Sequence, residues 1–354
     1  MEHLVQETRV LRVDAAHPEP EAVAAAADLI RRGSVVAFPT ETVYGLAANA
    51  TDAAAVARIF EAKGRPSDNP LIVHVADREQ LSSVISQLPP LAEKLMNRFW
   101  PGPLTLVLPK HQTVPDVVTC GLATVGVRMP SHPVALALIR SAGVPLAAPS
   151  ANRSGRPSPT VAEHVLEDLD GRIPLLLDGG ETGLGLESTV IDMTVDPPVL
   201  LRPGGVTLEQ ICAEIGPVEV AAAVHGVETG EAPRSPGMKY AHYAPKAQML
   251  LVEGPVLRMQ EKIRDLLEEY EAEGKRVGII CSAESRGVYP AQVVLEYGTR
   301  EDLAGIASDL FSTLRAFDRH RVDVILAEGV PESGIGLAIM NRLRRAAGGQ
   351  VVRV

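Results

Sequence analysis

Aromatic residues are scarce in this chain, at 3% of 354 positions. That argues against the broad stacking platforms used to bind single-stranded nucleic acid. Cysteine is scarcer still: Cys120, Cys212 and Cys281 are far apart and odd in number, and no CxxC occurs. Neither a disulfide framework nor a thiolate zinc site follows. No apolar run approaches membrane-spanning length, and the opening MEHLVQETRV lacks the apolar core of a signal peptide. The cytoplasm is the simplest expected location, with no membrane partner. Basic residues are the minority, 34 Lys and Arg against 44 Asp and Glu, for a formal net charge of −10. This excludes a protein coated in basic surface for nucleic acid, while leaving room for a local basic cleft. Several catalytic signatures are missing too. There is no Walker A, and the glycine-rich stretch from Gly179 to Gly185 lacks the Lys-Ser/Thr ending. No GxSxG or HExxH appears, and the histidines show no metal-ligand spacing, so no metal site is expected.

What is present is an ordinary soluble composition, 46% apolar and 22% charged. The length is too great for one common core, which makes two domains the expectation. From about Ala221 to Pro236 the pattern dissolves into Ala, Gly, Glu and Pro, the best boundary in the chain. The expected division is 1–220, a linker over 221–247, and 248–354. The linker ends in Ser235-Pro236-Gly237-Met238-Lys239-Tyr240-Ala241-His242-Tyr243-Ala244-Pro245, too rich in Tyr, His and Lys for a spacer. Beyond it strands and helices alternate, which predicts a small Rossmann-like α/β domain. No GxGxxG follows its first strand, so a dinucleotide site is not indicated.

The first domain is also α/β, and its strands end in a recurring way. Helices are predicted over Glu19 to Arg32, Asp52 to Ala62 (with Asp52 as N-cap), Pro90 to Phe99 and His132 to Ala142. After the second comes Lys63-Gly64-Arg65-Pro66-Ser67-Asp68-Asn69-Pro70, two cations among turn formers, leading into the strand Leu71 to Val75. In a rigid turn at a sheet edge such a pair suits phosphate or carboxylate. Thr40 and Thr42, Arg128, Ser150 and Asn152, Ser188, and Arg202 also fall at or just after strand ends. Taken singly, each is an ordinary surface or turn residue. The repetition carries the reading, because ligands of open α/β sheets bind at strand ends. His74 stands among apolar residues and reads by default as a satisfied core histidine; Cys120 has no base nearby in sequence.

These stretches also resemble a known family. Pro39-Thr40-Glu41-Thr42-Val43-Tyr44-Gly45-Leu46, Lys63-Gly64-Arg65-Pro66, Trp100-Pro101-Gly102-Pro103-Leu104-Thr105, Arg128-Met129-Pro130, Ser150-Ala151-Asn152, Glu187-Ser188-Thr189 and Leu201-Arg202-Pro203-Gly204 occur in order. Together with the tyrosine-rich linker they look like the two-domain type of the YrdC-like threonylcarbamoyl-adenylate synthase family. The resemblance implies a twisted mixed sheet with a concave cationic cleft, followed by the smaller Rossmann-like domain. It implies a reaction in which L-threonine, bicarbonate and ATP, with Mg²⁺ accompanying the ATP, give threonylcarbamoyl-AMP and pyrophosphate. The product would pass to a downstream tRNA threonylcarbamoyl transferase, with no stable nucleic-acid binding by this chain. By resemblance, Thr40, His74, Arg128, Ala148 and Ser188 would hold threonine. Lys63, Arg65, Asn69, Thr124, Ser150, Asn152, Ser158 and Arg202 would line the nucleotide side, with Tyr240 or Tyr243 closing over it as a lid. Lys63, Arg65, Ser150 and Asn152 would serve the phosphates and the reacting centre.

Two other classes compete. A basic cleft could hold RNA without chemistry, although the acidic balance and few aromatics weigh against it. Carbamoyl transfer through a carbamoyl-adenylate is the second; the acylphosphatase-like and zinc-finger parts expected beside such a domain are not seen in this sequence.

Overall fold

The computed structural model describes residues 7–226 and 243–354. These fall into two compact units. The first comprises 7–154 and Ser158–Val224; the second comprises Gly155–Pro157, 225–226 and 243–354. Most of the tyrosine-rich tract, Tyr240 included, lies outside the described residues.

The first unit begins β1 (Arg9–Arg12), α1 (Pro20–Arg31), β2 (Val36–Phe38), β3 (Gly45–Asn49), α2 (Ala53–Lys63), β4 (Ile72–His74), α3 (Arg78–Val84) and α4 (Pro90–Phe99). It continues β5 (Leu104–Pro109), α5 (Asp116–Thr119), β6 (Thr124–Arg128), α6 (Pro133–Ala142), β7 (Leu146–Ala147), α7 (Ala162–Leu169) and β8 (Leu175–Asp178). It closes with β9 (Thr189–Asp192), β10 (Val199–Arg202), α8 (Leu208–Ile215) and β11 (Glu219–Val220). The strands make one sheet in the order β1-β8-β2-β3-β7-β4-β6-β5-β9-β10-β11. It is mixed: β4 runs parallel to β6, for example, while β6 and β5 are antiparallel.

The central strands are covered on both faces and are mostly apolar, as in Val36–Phe38 and Gly45–Asn49, while the edge strand β1 is largely exposed. Alternation survives in where each side chain goes. Ala37, Leu46, Ala48 and Leu176 join one core cluster with α2 residues such as Val56 and Ile59. Val36, Phe38, Ala47, Leu175 and Leu177 point into the other, against Ile30 of α1 and Leu138 of α6. Helix α2 starts where its sequence predicts and ends at a glycine. Asp52 accepts from the amides of Ala54 and Ala55 at the start of α2, and Gly64, at φ 59°, ends it in the left-handed conformation.

The second unit contains β12 (Gln248–Glu253), α9 (Val256–Ala272), β13 (Val277–Cys281), β14 (Val293–Glu296), α10 (Leu303–His320), β15 (Val324–Glu328), α11 (Gly336–Ala346) and β16 (Val351–Arg353). Its five strands are all parallel, in the order β14-β13-β15-β12-β16. This is the α/β domain expected from the alternation, extended by an edge strand, β16, too short to read from sequence. Tyr243 belongs to this unit. Its ring stacks on Phe311 at 5.1 Å, with the Arg342 guanidinium 5.5 Å from its centroid. Among the described residues no helix is long and apolar enough to cross a membrane.

Candidate active site

One placement differs from the sequence reading. Lys63 does not stand in the turn but is the last residue of α2, and it is 3% exposed. The helix signals run one residue further than the sequence suggested, because Gly64 is the left-handed cap. A cation in a last turn also sits favourably against the helix carbonyls. From there Nζ reaches the carbonyls of Ser150 and Asn152, at 2.5 Å each. Ser150 Oγ donates to Asn152 Oδ1 at 2.5 Å, and the Asn152 amide donates to the Arg153 carbonyl. Arg65 does lie in the turn. It donates to the carbonyl of Asn69 at 2.8 Å, and its guanidinium lies over the Phe60 ring. The Asn69 side-chain amide is buried, 1% exposed, with neither its oxygen nor its nitrogen hydrogen-bonded among the described residues. Gly64 itself faces open space.

A second set gathers at the ends of β4, β5, β6 and β9. Arg128, the last residue of β6, is 3% exposed and lies beside His74 of β4 in register. Its guanidinium donates to the Gly102 carbonyl and to Thr42 Oγ1 at 2.9 Å, and pairs with Glu41 at 2.6 Å. Thr42 in turn bonds Thr40, whose hydroxyl donates to the Val43 carbonyl. On the other side of Arg128, Thr105 of β5 bonds Ser188 at 2.8 Å. Arg202 donates to the Ser188 carbonyl and to its hydroxyl. Ser158 donates to Glu187. Ala148 is buried, its amide tied to the Ile72 carbonyl, and Thr124 stands half-buried at the start of β6. The two sets are joined through the backbone: Ala151 donates to the Tyr44 carbonyl, and Leu46 to that of Pro149. Thr40, His74, Arg128, Ser188 and Arg202 are thus brought together, Lys63, Ser150 and Asn152 form a second set, and Thr124 stands at the other end of β6 from Arg128.

Glu41 is the member that sequence reasoning passed over. It lies inside the quoted Thr-Glu-Thr motif, and its only signal was a carboxylate flanked by hydroxyls. Burial works to raise its pKa, but Arg128 outweighs burial and holds the carboxyl below its usual value. His74 is buried, with no partner for Nδ1 at hydrogen-bond geometry among the described residues, and its pKa falls to about 3, through burial first and the adjacent Arg128 second, against the backbone of Ile72 and Leu146, which acts to raise it. The imidazole is accordingly neutral at physiological pH.

A consequence follows for acid stability. The unfolded chain takes up the His74 proton near its ordinary 6.5 and the folded chain only near 3, so stability falls as pH drops through this window. From about pH 7 to about pH 5 the loss due to this residue is about 2 kcal/mol. Urea unfolding of wild type and His74→Gln at both pH values checks it: the variant should lose about 2 kcal/mol less. Equal losses in the two proteins would show that His74 does not titrate this way.

Buried cations and hydroxyls stand at the strand ends of a mixed sheet, and a parallel-sheet unit follows, so the chain is a two-domain α/β protein. Comparison with known proteins gives the family. A family model described as Telomere recombination matches residues 28–204, and one described as Threonylcarbamoyl-AMP synthase, C-terminal domain, matches residues 206–348. The threonylcarbamoyl-AMP synthase of Bacillus subtilis is 56% identical over 332 residues, covering 94% of each chain. That of Pyrococcus abyssi is also 56% identical, covering 93% of this chain and 95% of its own length. The crystal structure of P. abyssi Sua5 complexed with L-threonine superposes with a TM-score of 0.93 at 53% identity, covering 98% of this chain and 100% of that one. The chain belongs to the Sua5/YrdC family of threonylcarbamoyl-AMP synthases, in its two-domain form.

Proposed function

We propose that this protein joins L-threonine, bicarbonate and ATP into threonylcarbamoyl-AMP with release of pyrophosphate, for the threonylcarbamoyladenosine modification of tRNA. The observation that carries the reading is a set of buried cations, Lys63, Arg128 and Arg202, converging with serine and threonine hydroxyls inside an acidic chain. The chemistry requires such a set. Threonine must first be carboxylated on nitrogen. An oxygen of that new carboxylate then attacks the α-phosphorus of ATP, and the bond from that phosphorus to the bridging oxygen of the β-phosphate breaks. Two anions have to meet, and fixed positive charge lowers their repulsion without reorganising. No covalent nucleophile is required.

Arg128, Thr40, His74, Ser188 and the Ala148 backbone form the threonine side. A guanidinium is the natural partner for the amino-acid carboxylate, and a neutral His74 adds no second positive charge. Lys63, Arg65, Ser150 and Asn152 form the phosphate side, with Asn69, Thr124, Ser158 and Arg202 on the nucleotide. The unsatisfied buried amide of Asn69 fits a group that completes its hydrogen bonds when ligand is present. Among the described residues no cluster of three or more His, Cys, Asp or Glu could hold a metal ion. Mg²⁺ would therefore enter with the phosphates of ATP. Of the two linker tyrosines, Tyr240 would cover the nucleotide and limit hydrolysis of a labile product, since the Tyr243 ring is buried against Phe311. The product would then pass to the tRNA threonylcarbamoyl transferase.

The test is pyrophosphate release by the purified protein given ATP, Mg²⁺ and bicarbonate, with and without L-threonine. Release is expected only when both threonine and bicarbonate are present. Release indifferent to threonine would overturn the reading and favour carbamoyl transfer. RNA binding that weakens steeply with salt, with no turnover, would favour the RNA module.

A further inference from the structure

The stretch from Trp100 to Thr105 ends in a buried hydroxyl to which the synthase reading gives no role. Thr105 of β5 is paired in register with Arg128 of β6, and Arg128 with His74 of β4. Residues paired directly across strands point to the same face of a sheet. Thr105 therefore continues the row of side chains that the threonine side uses. On its other edge β5 pairs with β9, and Ser188 stands just before β9. Thr105 is 0% exposed and Ser188 1% exposed.

The two branches of Thr105 are sorted by these neighbours. Toward β6, its methyl carbon Cγ2 lies 3.3 Å from the place a Cβ would occupy on Gly126, so the missing side chain of that glycine gives the methyl its room. Toward β9, its hydroxyl meets Ser188 Oγ at 2.8 Å. A β-branched side chain holds its χ1 stiffly, which keeps the hydroxyl on Ser188.

The proton inventory sets the direction of that bond. Ser188 Oγ has one proton and two lone pairs. Arg202 Nη2 donates to it at 3.2 Å, while Nε of the same guanidinium donates to the Ser188 carbonyl, so one lone pair is taken. Among the described residues, Ser188 is the one hydrogen-bond partner of Thr105 Oγ1. Were Ser188 the donor, the Thr105 proton would be a buried donor with no acceptor. With Thr105 as donor, that proton is used and both Ser188 lone pairs are filled. Only lone pairs on Thr105 then stay vacant, which is the milder defect. The Ser188 proton is left for a ligand.

We propose that Thr105 is a positioning residue for the amino acid. By donating to Ser188 it makes the Ser188 hydroxyl a fixed donor to an acceptor oxygen of L-threonine, carboxylate or side-chain hydroxyl, and closes it to the ammonium group. Thr105 does not touch the substrate; it acts through Ser188. The proposal rests on the synthase reading, which puts Ser188 on the threonine side.

Calorimetric titration with L-threonine tests it, beside the KM for ATP in pyrophosphate release. Thr105→Val keeps the branched shape and removes the hydroxyl. It should weaken threonine about 5-fold, the scale of one buried hydrogen bond, and leave the KM for ATP within about 2-fold of wild type. Thr105→Ser, which restores the hydroxyl, should bind threonine within about 2-fold of wild type. In a cycle with Ser188→Ala the losses should not add, because Thr105→Val has nothing left to act through. L-2-aminobutyrate, which lacks the side-chain hydroxyl, locates the acceptor. Equal weakening of both ligands in Thr105→Val puts it on the carboxylate, and weakening of threonine alone puts it on the hydroxyl. Unchanged threonine affinity in Thr105→Val overturns the proposal. So does a loss that Thr105→Ser fails to restore, that extends equally to ATP, or that adds in full to the loss in Ser188→Ala. Wild-type affinity in Ser188→Ala overturns it as well. A wild-type protein that binds no threonine fails the synthase reading itself, before any variant is compared.

Discussion

Replacing Lys63 by Ala should lower threonine-dependent pyrophosphate release at least roughly 100-fold, the scale on which removing one preorganised electrostatic contact affects a transition state. The structure makes this residue hard to substitute. Its ammonium is held between two carbonyls of the Ser150 to Asn152 segment, at the end of a helix whose cap fixes the direction of approach. Lys63→Met keeps the buried stem while removing the charge, which separates packing from electrostatics. Both variants should show the large loss in kcat, whereas a purely structural role would spare Lys63→Met more than Lys63→Ala. Arg65→Ala should fall in the same direction, and by less, because Arg65 stands on the turn and is less buried. Release rates measured on variants with wild-type urea midpoints decide it. A loss under about 3-fold in Lys63→Met would remove Lys63 from the reacting centre.

The fold was largely legible where helices carry their own punctuation. Asp52 and Gly64 bracket α2, Gly143 ends α6, and Thr207 with Gln210 forms a capping box on α8. Less legible were strands of small residues. Gly45–Asn49, over which no strand was predicted, is β3, and β7 is two residues long. Neither has the β-branched run that marks a strand, and both exist because neighbours on each side complete their ladders. The site was legible as a repetition of polar residues at strand ends. Its internal wiring was not. Arg128 meets Glu41 and Thr42 from 87 and 86 positions away, and which strand ends become neighbours depends on a sheet order no local pattern encodes. Lys63 shows the opposite error: a local reading put it in the turn, when one left-handed glycine kept it on the helix.

Arg128 and Glu41 carry the second large effect, which concerns stability and binding at once. Arg128→Met should cost about 3–5 kcal/mol in unfolding free energy, because it leaves the Glu41 carboxylate buried without its counter-ion. The side chains are only 4% and 18% exposed, so solvent offers little relief. Glu41→Gln should cost less, since Arg128 retains the Gly102 carbonyl and Thr42. The double variant removes both charges and should recover much of the stability lost in Arg128→Met, giving a coupling of about 1–3 kcal/mol. Threonine binding separates the two roles. If Arg128 receives the amino-acid carboxylate, the double variant regains its fold and still fails to bind threonine. Glu41→Gln alone should retain binding, and bind more tightly than wild type if the resident carboxylate competes with that of threonine for the same guanidinium. Calorimetric titration with threonine, beside urea unfolding of all four proteins, reads both effects. Threonine affinity restored together with stability in the double variant would show that Arg128 organises the site without touching the substrate. Affinity lost in Glu41→Gln would instead make the carboxylate part of the receptor, acting on the amino group.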